Sequence, residues 1–334
     1  MTTRARRVLL AERPHGLPKP SIWSSETVEL PTTGAGEVLV RVTHLSLDPA
    51  MRGWLNDVRS YIPPVGIGQV MRAFGIAEVI ESRDPRFAPG DAVTGLIGVA
   101  DHAVVPADAL TAIDLALAPA PTWLGALGLT GLTAWFGLFD CARAQPDDTV
   151  LVSGAAGAVG SIVGQLAKAH GCRVVGIAGG PEKTHWLTDE LGFDAAVDYR
   201  SGDLRRAVRA AAPDGIDIFF DNVGGEMLEV ALRSLRLGAR IAICGAISSY
   251  NAVEPPPGPA SYMALLVQRA SMAGFLAFDY EARFPEARED IGRRLRDGSL
   301  VAREHVVEGG LDRFHDTFMM LFSGANTGKL VLAL

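Results

Sequence analysis

Lysine is nearly missing from this 334-residue chain: Lys19, Lys168, Lys183 and Lys329 are the only four among 31 basic residues. A lysine placed inside a motif therefore stands out against a low background. Cysteine is as scarce, and Cys141, Cys172 and Cys244 are too few and too scattered for a disulfide framework. No Cys-x-x-Cys or His-x-x-x-His spacing occurs, which argues against a structural zinc site. Aromatic residues are only 7% of the chain, and 38 acids against 31 bases leave a net charge of −7. A partner such as nucleic acid or an anionic membrane calls for a basic face, so neither is expected. The remaining composition, 48% hydrophobic and 21% charged, is that of a globular protein and excludes a disordered one. At roughly 100–200 residues per domain, the length suggests two domains.

The N-terminus lacks the long apolar core and small-residue cleavage site of a signal peptide, so a cytoplasmic protein is expected. One long charge-free run does occur, from Leu115 to Phe139. A membrane helix needs about 20 apolar residues, so the length qualifies. Pro119, Pro121, Gly125, Gly128, Gly131 and Gly137 interrupt it, however, and buried helices at a domain junction are the expectation. Pro255-Pro256-Pro257-Gly258-Pro259 reads as a stiff surface loop.

What is present divides into two patterns. The first third is β-rich, with strands expected over Glu37–Leu47, Ile76–Glu81, the segment after Pro89-Gly90-Asp91, and His102–Val105. Short strands with Gly/Pro punctuation suggest a small barrel or sandwich. From Asp148 onward strands alternate with helices: Thr149–Val152, Arg173–Ala178, Ala195–Val197, Asp217–Asp221 and Arg240–Cys244 against helical stretches Val159–His170, Leu204–Ala211 and Met227–Leu237. This alternation predicts an α/β fold with a Rossmann-type, doubly wound parallel sheet. The tail from Glu304 is too short for its own core and is expected to return to the first domain.

Between the strand Thr149–Val152 and the next helix stands Ser153-Gly154-Ala155-Ala156-Gly157-Ala158-Val159-Gly160-Ser161. Glycines at 154, 157 and 160 form a Gly-x-x-Gly-x-x-Gly variant of the dinucleotide fingerprint. A tight turn lets backbone N–H groups approach a pyrophosphate at the positive end of the helix, and small residues let that helix pack closely. An NAD enzyme usually carries Asp or Glu at the tip of the second strand to accept from the ribose 2′-hydroxyl. Here that tip is Ile177-Ala178-Gly179-Gly180-Pro181-Glu182-Lys183, with no acid before the turn. A 2′-phosphate fits the vacancy and Lys183 can neutralise it, so NADP(H) is the expected cofactor.

The chain resembles the zinc-independent medium-chain dehydrogenase/reductases, specifically the NADPH-dependent alkenal/enone double-bond reductases. The resemblance rests on Leu47-Asp48-Pro49-Ala50-Met51-Arg52-Gly53, Gly131-Leu132-Thr133-Ala134-Trp135-Phe136-Gly137-Leu138 and the glycine turn. It continues through Phe220-Asp221-Asn222-Val223-Gly224-Gly225, Cys244-Gly245-Ala246-Ile247-Ser248-Ser249-Tyr250-Asn251, Pro256-Pro257-Gly258-Pro259 and Gly324-Ala325-Asn326-Thr327-Gly328-Lys329. Glu12-Arg13-Pro14-His15-Gly16 and Ser60-Tyr61-Ile62-Pro63-Pro64-Val65 look nearest to the bacterial curcumin-reductase branch.

That resemblance implies a GroES-like β-rich catalytic domain from residues 1–124 and 304–334 and an NADP-binding Rossmann domain from 125–303. Cofactor and substrate are expected in the cleft between them, and a homodimer is expected. It also implies that Ala158, Val159, Gly160 and Ser161 hold the pyrophosphate and that Lys183 and Tyr199 hold the 2′-phosphoadenosine end. Asn222, the loop Cys244, Gly245, Ala246, Ile247, Ser248, Ser249 and Tyr250, with Phe275, Leu276, Ala277 and Asn326, would line the ribose and nicotinamide. The implied reaction is reduction of the C=C bond of an α,β-unsaturated aldehyde or ketone without a metal. Charge gathers on the carbonyl oxygen, so a donor is needed there: Tyr61, Tyr280 or the ribose 2′-hydroxyl. Ala50 and Phe278 stand where relatives carry tyrosine, which implies a roomier, less polar pocket. The seven histidines are read as structural or exposed. A zinc-free quinone reductase and a non-catalytic NADP-binding sensor are the competing readings. A short-chain dehydrogenase is excluded because no tyrosine is followed four residues on by lysine.

Overall fold

A computed structural model describes residues 3–334 and divides them into two compact units. One unit takes the chain up to Leu124 together with Glu304–Asn326 and Leu330–Leu334; the other takes Gly125–Arg303 and Thr327–Lys329.

The first unit begins with a two-stranded antiparallel ribbon, Arg4–Leu10 (β1) and Trp23–Glu29 (β2). Glu37–Ser46 (β3), Phe74–Ser82 (β4), Ala92–Leu96 (β5), His102–Pro106 (β6) and Leu110–Ala112 (β7) follow, with a short helix Ala50–Gly53 (α1) after β3. β3 is rich in β-branched residues and buries Val38, Val40 and Val42. The sequence reading missed β1, β2 and β7, in which apolar residues are diluted by arginine, serine or threonine. Ala120–Leu124 (α2) closes this stretch, and Leu129–Phe136 (α3) opens the other unit. The charge-free run is therefore two short helices rather than one span. No helix of the described residues is long and apolar enough to cross a membrane. Gly131 is required where it stands, because a Cβ there would lie 1.7 Å from the Ala126 carbonyl oxygen.

The second unit is built on Thr149–Val152 (β8), Arg173–Ala178 (β9), Ala195–Asp198 (β10), Ile216–Asp221 (β11), Leu235–Ile243 (β12) and Ser271–Gly274 (β13). Its helices are Ala158–Ala169 (α4), Pro181–His185 (α5), Leu204–Ala211 (α6), Gly225–Leu232 (α7), Met263–Gln268 (α8) and Phe284–Asp297 (α9). The strands form one parallel sheet in the order β10-β9-β8-β11-β12-β13. All four residues of β8 are buried, as in a strand covered on both faces. One expectation needs correction, and one strand was not expected. The helix read over Met227–Leu237 stops at Leu232, and Leu235 is already in β12 because Ile216 and Leu235 pair across the sheet. A sixth strand, Ser271–Gly274, went unread because four small or flexible residues carry almost no periodic signal.

The tail supplies Glu304–Val307 (β14), Phe314–Ser323 (α10) and Lys329–Ala333 (β15). β14 and β15 complete a seven-stranded sheet, β14-β15-β3-β4-β5-β7, with β6 also paired to β3. All five residues of β15 are buried. Phe314 and Phe318 of α10 stack at 6.0 Å within the same core as Leu45, Met51 and Leu55. Burying one such ring stabilises by roughly 1.5–3 kcal/mol, so the tail is integral to this unit. The expected α/β class, a Rossmann-type sheet plus a β-rich unit, is what the chain adopts.

Candidate functional site

In the parallel sheet the chain works outward from β8 through β9 to β10, then restarts on the other side of β8 at β11. Ligands of open α/β sheets bind beyond the carboxyl ends of the strands at such a reversal. The residues just past β8 and β11 are tied together there. Ser153 N donates to the Phe220 carbonyl (3.1 Å), and Asn222 donates to Ser153 from its backbone N to Oγ (2.8 Å) and from Nδ2 to the carbonyl (2.7 Å).

Asp221, only 1% exposed, is the hub of this corner. Its Oδ1 accepts from Ser153 Oγ (2.8 Å) and from the N–H groups of Val223 (3.0 Å) and Gly224 (2.9 Å). Its backbone carbonyl accepts from the N–H groups of Cys244 (2.8 Å) and Gly245 (3.1 Å). Burial pushes the Asp221 carboxyl above the ordinary carboxylate value despite these hydrogen bonds. The sequence singled Asp221 out only as part of a motif; its partner Ser153 lies 68 residues away and leaves no local signal.

The glycine turn is tight and closely packed against the next helix. Gly154 sits at φ +58°, a left-handed conformation natural to glycine. A Cβ on Gly160 would come within 2.5 Å of the Gly154 oxygen and 2.8 Å of the Ala155 Cα. Helix α4 therefore closes directly onto the turn. Ala158, Val159, Gly160 and Ser161 form its first turn, and Gly157 at the N-cap offers no side-chain acceptor to their N–H groups. From the tail, Gly328 N donates to the Ala156 carbonyl (2.8 Å). A Cβ on Gly328 would lie 2.0 Å from the Arg303 oxygen, which accounts for glycine in that motif.

At the tip of β9 the backbone of Gly179 lies under two side chains: a Cβ there would meet Tyr199 Cε1 at 2.8 Å and Arg200 Nε at 2.9 Å. The Arg200 guanidinium stands 5.6 Å from the Tyr199 ring centre. Lys183, half-buried on α5, has its pKa lowered by burial and then by the nearby positive charge of Arg200. Two cations thus face one small region without an acid on the β9 tip. Asp198 is occupied elsewhere, accepting from the N–H groups of Gly180 and Arg200 (both 2.9 Å), which hold its carboxyl below the usual range. Arg200 was missed in the sequence, although it adjoins Tyr199 at the end of β10.

The loop after β12 packs on the turn after β11. Ser248 Oγ donates to the Val223 carbonyl (2.6 Å), Ile247 N to the Asn222 carbonyl (3.3 Å), and Ala246 N to the Tyr250 hydroxyl (3.2 Å). Ser249 Oγ donates to the Ala246 carbonyl (2.8 Å), which closes the loop on itself. Burial, with Asp221 second, pushes the Cys244 thiol up to about 12, so it is no thiolate nucleophile at neutral pH. Phe275, Leu276 and Ala277 follow β13. The Phe275 ring packs edge-on against Phe220 (6.0 Å) in space that Gly137 leaves open.

Tyr280 belongs to the same unit and stacks face to face on Phe136, with ring centres 4.6 Å apart and planes 7° apart. Burial, then Asp140, raises its pKa, so the phenol stays protonated. Phe278 is 43% exposed. Tyr61 and Asn326 belong to the other unit. Tyr61 is 52% exposed and receives a hydrogen bond from Trp54 Nε1 (3.4 Å). Ala50 begins α1 and packs against the β-rich core. Among the described residues no three His, Cys, Asp or Glu side chains are grouped as a metal ion would require.

Comparison with known proteins fits this geometry. The family described as the N-terminal domain of oxidoreductase matches residues 6–113, and the one described as zinc-binding dehydrogenase matches residues 158–292. The NADPH-dependent curcumin reductase of Escherichia coli is 41% identical, covering 98% of this chain and 96% of its own. The NADP(+)-dependent 2-alkenal reductase of Nicotiana tabacum is 38% identical, with coverages of 98% and 96%. The crystal structure of CurA from Vibrio vulnificus in complex with NADPH superimposes with a TM-score of 0.92 at 38% identity, over 98% of both chains. The chain therefore belongs to the medium-chain dehydrogenase/reductase family, in its alkenal-reductase branch.

Proposed function

We propose that this protein uses NADPH to reduce the C=C bond of α,β-unsaturated aldehydes and ketones. The observation that carries the cofactor is that Arg200 lies over Gly179 and its charge acts on nearby Lys183, at the strand tip where an NAD enzyme keeps an acid. Relatives that span the whole chain and bear the names curcumin reductase and 2-alkenal reductase support the substrate class. Ala158, Val159, Gly160 and Ser161 would hold the pyrophosphate at the start of α4, and Lys183, Tyr199 and Arg200 the 2′-phosphoadenosine end. Asn222, the Cys244–Tyr250 loop, Phe275, Leu276, Ala277 and Asn326 would orient the ribose and nicotinamide. In this reading the unit holding β3 and β15 is the catalytic domain and the unit holding β8–β13 binds NADP.

When bound, NADPH supplies the hydride that goes to the substrate β-carbon. Negative charge then develops on the carbonyl oxygen, and the α-carbon takes a proton. The chain contributes a hydroxyl at that oxygen, from Tyr61 or Tyr280. Tyr280 is fit for this because its ring is fixed on Phe136 and its phenol stays protonated. Removing a single oxyanion donor commonly costs about 100- to 1000-fold in kcat, and that is the effect expected of Tyr→Phe at whichever position acts.

The deciding experiment is NADPH oxidation across a panel of enones, alkenals and quinones, with products identified by mass. Saturated ketones or aldehydes are expected, carrying deuterium at the β-carbon when labelled cofactor is used. Turnover of quinones alone would favour a quinone reductase. Cofactor-dependent thermal stabilisation with no turnover would favour a sensor.

A homodimer is part of the same reading. β13 ends the parallel sheet with all four residues exposed. Beside it Tyr262, Met263, Leu266, Val267 and Met272 form an exposed apolar surface on and next to α8. A second copy pairing along β13 would bury both the edge and this patch.

A further inference from the structure

The segment Glu12-Arg13-Pro14-His15-Gly16 makes specific contacts with the loop that carries Tyr61. One nitrogen of the Arg13 guanidinium, Nη1, donates to the Leu55 carbonyl at 2.8 Å and to the Val65 carbonyl at 2.6 Å. Those two residues are the feet of the loop, and both are buried, at 0% and 1% exposure. Between the feet the backbone bond Val65 N to the Trp54 carbonyl (2.8 Å) closes the loop. The contact is reciprocated: Arg52 Nη2 donates to the Gly16 carbonyl (2.8 Å) and its Nη1 to Asn56 Oδ1 (2.7 Å). On the far leg, Arg72 Nη1 donates to the Pro63 carbonyl (3.0 Å) while its guanidinium covers the Trp54 ring at 5.5 Å. The same Trp54 donates to the Tyr61 hydroxyl. Beyond these fasteners the tip is open to solvent, with Val58, Arg59 and Tyr61 exposed.

We infer that Arg13 is a positioning residue that clamps both feet of the Leu55–Val65 loop and so fixes Tyr61 for the substrate. This rests on the reading of Tyr61 as a substrate-facing hydroxyl. The physical reason is entropic. An exposed loop of this size has many conformations, and bridging its feet through one charged donor removes most of them. Arg52 and Arg72 hold neighbouring points, and Arg13 bridges the two feet with one group.

Arg59 provides a readout independent of activity, since trypsin can cut after it only where the loop opens. In Arg13→Met, native-state cleavage after Arg59 is expected to rise by about tenfold or more, with the cut located by mass. The KM for an enone should rise while the KM for NADPH stays as in wild type. Arg13→Lys should restore much of both properties, because an ammonium can still donate to two carbonyls. Unchanged cleavage after Arg59 together with an unchanged enone KM overturns the inference. So does acceleration shared equally by the other exposed arginines, which would mean general loosening. If Arg13→Met does not fold, Arg13→Lys and Arg13→Gln carry the comparison: graded protection of Arg59 supports the clamp, and equal protection overturns it. Tyr61→Phe separates the two layers. If that variant turns over like wild type, the reading of Tyr61 falls, while faster cleavage after Arg59 in Arg13→Met still supports the clamp.

Discussion

Lys183 shows how much one charge can decide when its type is rare. In the proposed reading it would sit with Arg200 at the 2′-phosphate, where each contact would be a charge-assisted hydrogen bond to a strong acceptor. Removing either cation should therefore raise the KM for NADPH by about 10- to 100-fold, corresponding to roughly 1.5–3 kcal/mol per charged hydrogen bond, and leave the KM for NADH almost unchanged. Equal effects on the two cofactors in Lys183→Ala would refute the assignment. Because burial and Arg200 lower the pKa of Lys183, the positive charge is lost at lower pH than for an ordinary lysine. NADPH affinity should fall as pH climbs through that value, and a fluorescence titration of Kd against pH checks it. Asp221 has the opposite sign. Its carboxyl binds a proton more tightly in the folded chain than in the unfolded one, so it contributes stability at low pH that is lost as pH rises through the raised pKa. Asp221→Asn keeps an Oδ1 acceptor and should flatten this slope in thermal unfolding measured across that range. Asp221→Ala, which removes the acceptor for three donors, should cost about 1–3 kcal/mol and weaken NADPH binding.

Elements follow from local sequence where a period or a turn forces them. The β8–turn–α4 unit was readable because a run of three apolar residues, three spaced glycines and an apolar helix specify each part in order. Gly160 tests that unit. Alanine there must push α4 away from the Gly154 oxygen, so Gly160→Ala should lose about 1–3 kcal/mol of stability and bind NADPH less tightly in calorimetry. Normal affinity would mean the helix has room that its geometry denies. Other elements carried little signal of their own. β13 is Ser-Met-Ala-Gly, and β12 opens with Leu-Arg-Leu-Gly, which reads equally well as the end of a helix. Their neighbours in the sheet decide them.

For the whole molecule, the edge strand β13 and the apolar residues around α8 make a claim about assembly. Leu266→Glu should shift the protein from dimer to monomer by light scattering after gel filtration, because two added charges would face each other across a two-fold contact. A wild-type protein that is monomeric at micromolar concentration would remove the homodimer from the proposed function. The expected loss is in mass; cofactor binding through the Lys183 region should survive, since those residues lie at the opposite edge of the sheet order.

The amino-acid sequence determined the chemistry that is local: the dinucleotide turn, the strand tip without an acid, the motif string of the family and the alternation that makes a parallel sheet. These are properties of consecutive residues, and backbone sterics or hydrophobic period enforce them on the spot. Only the tertiary structure decided what depends on residues far apart in the chain. It brought Arg200 beside Lys183, joined Ser153 to Asp221, seated β15 against β3 and closed Arg13 over the feet of the Tyr61 loop. Each of these contacts costs chain entropy to form and is held by burial gathered from the whole unit, so no short stretch of sequence records it.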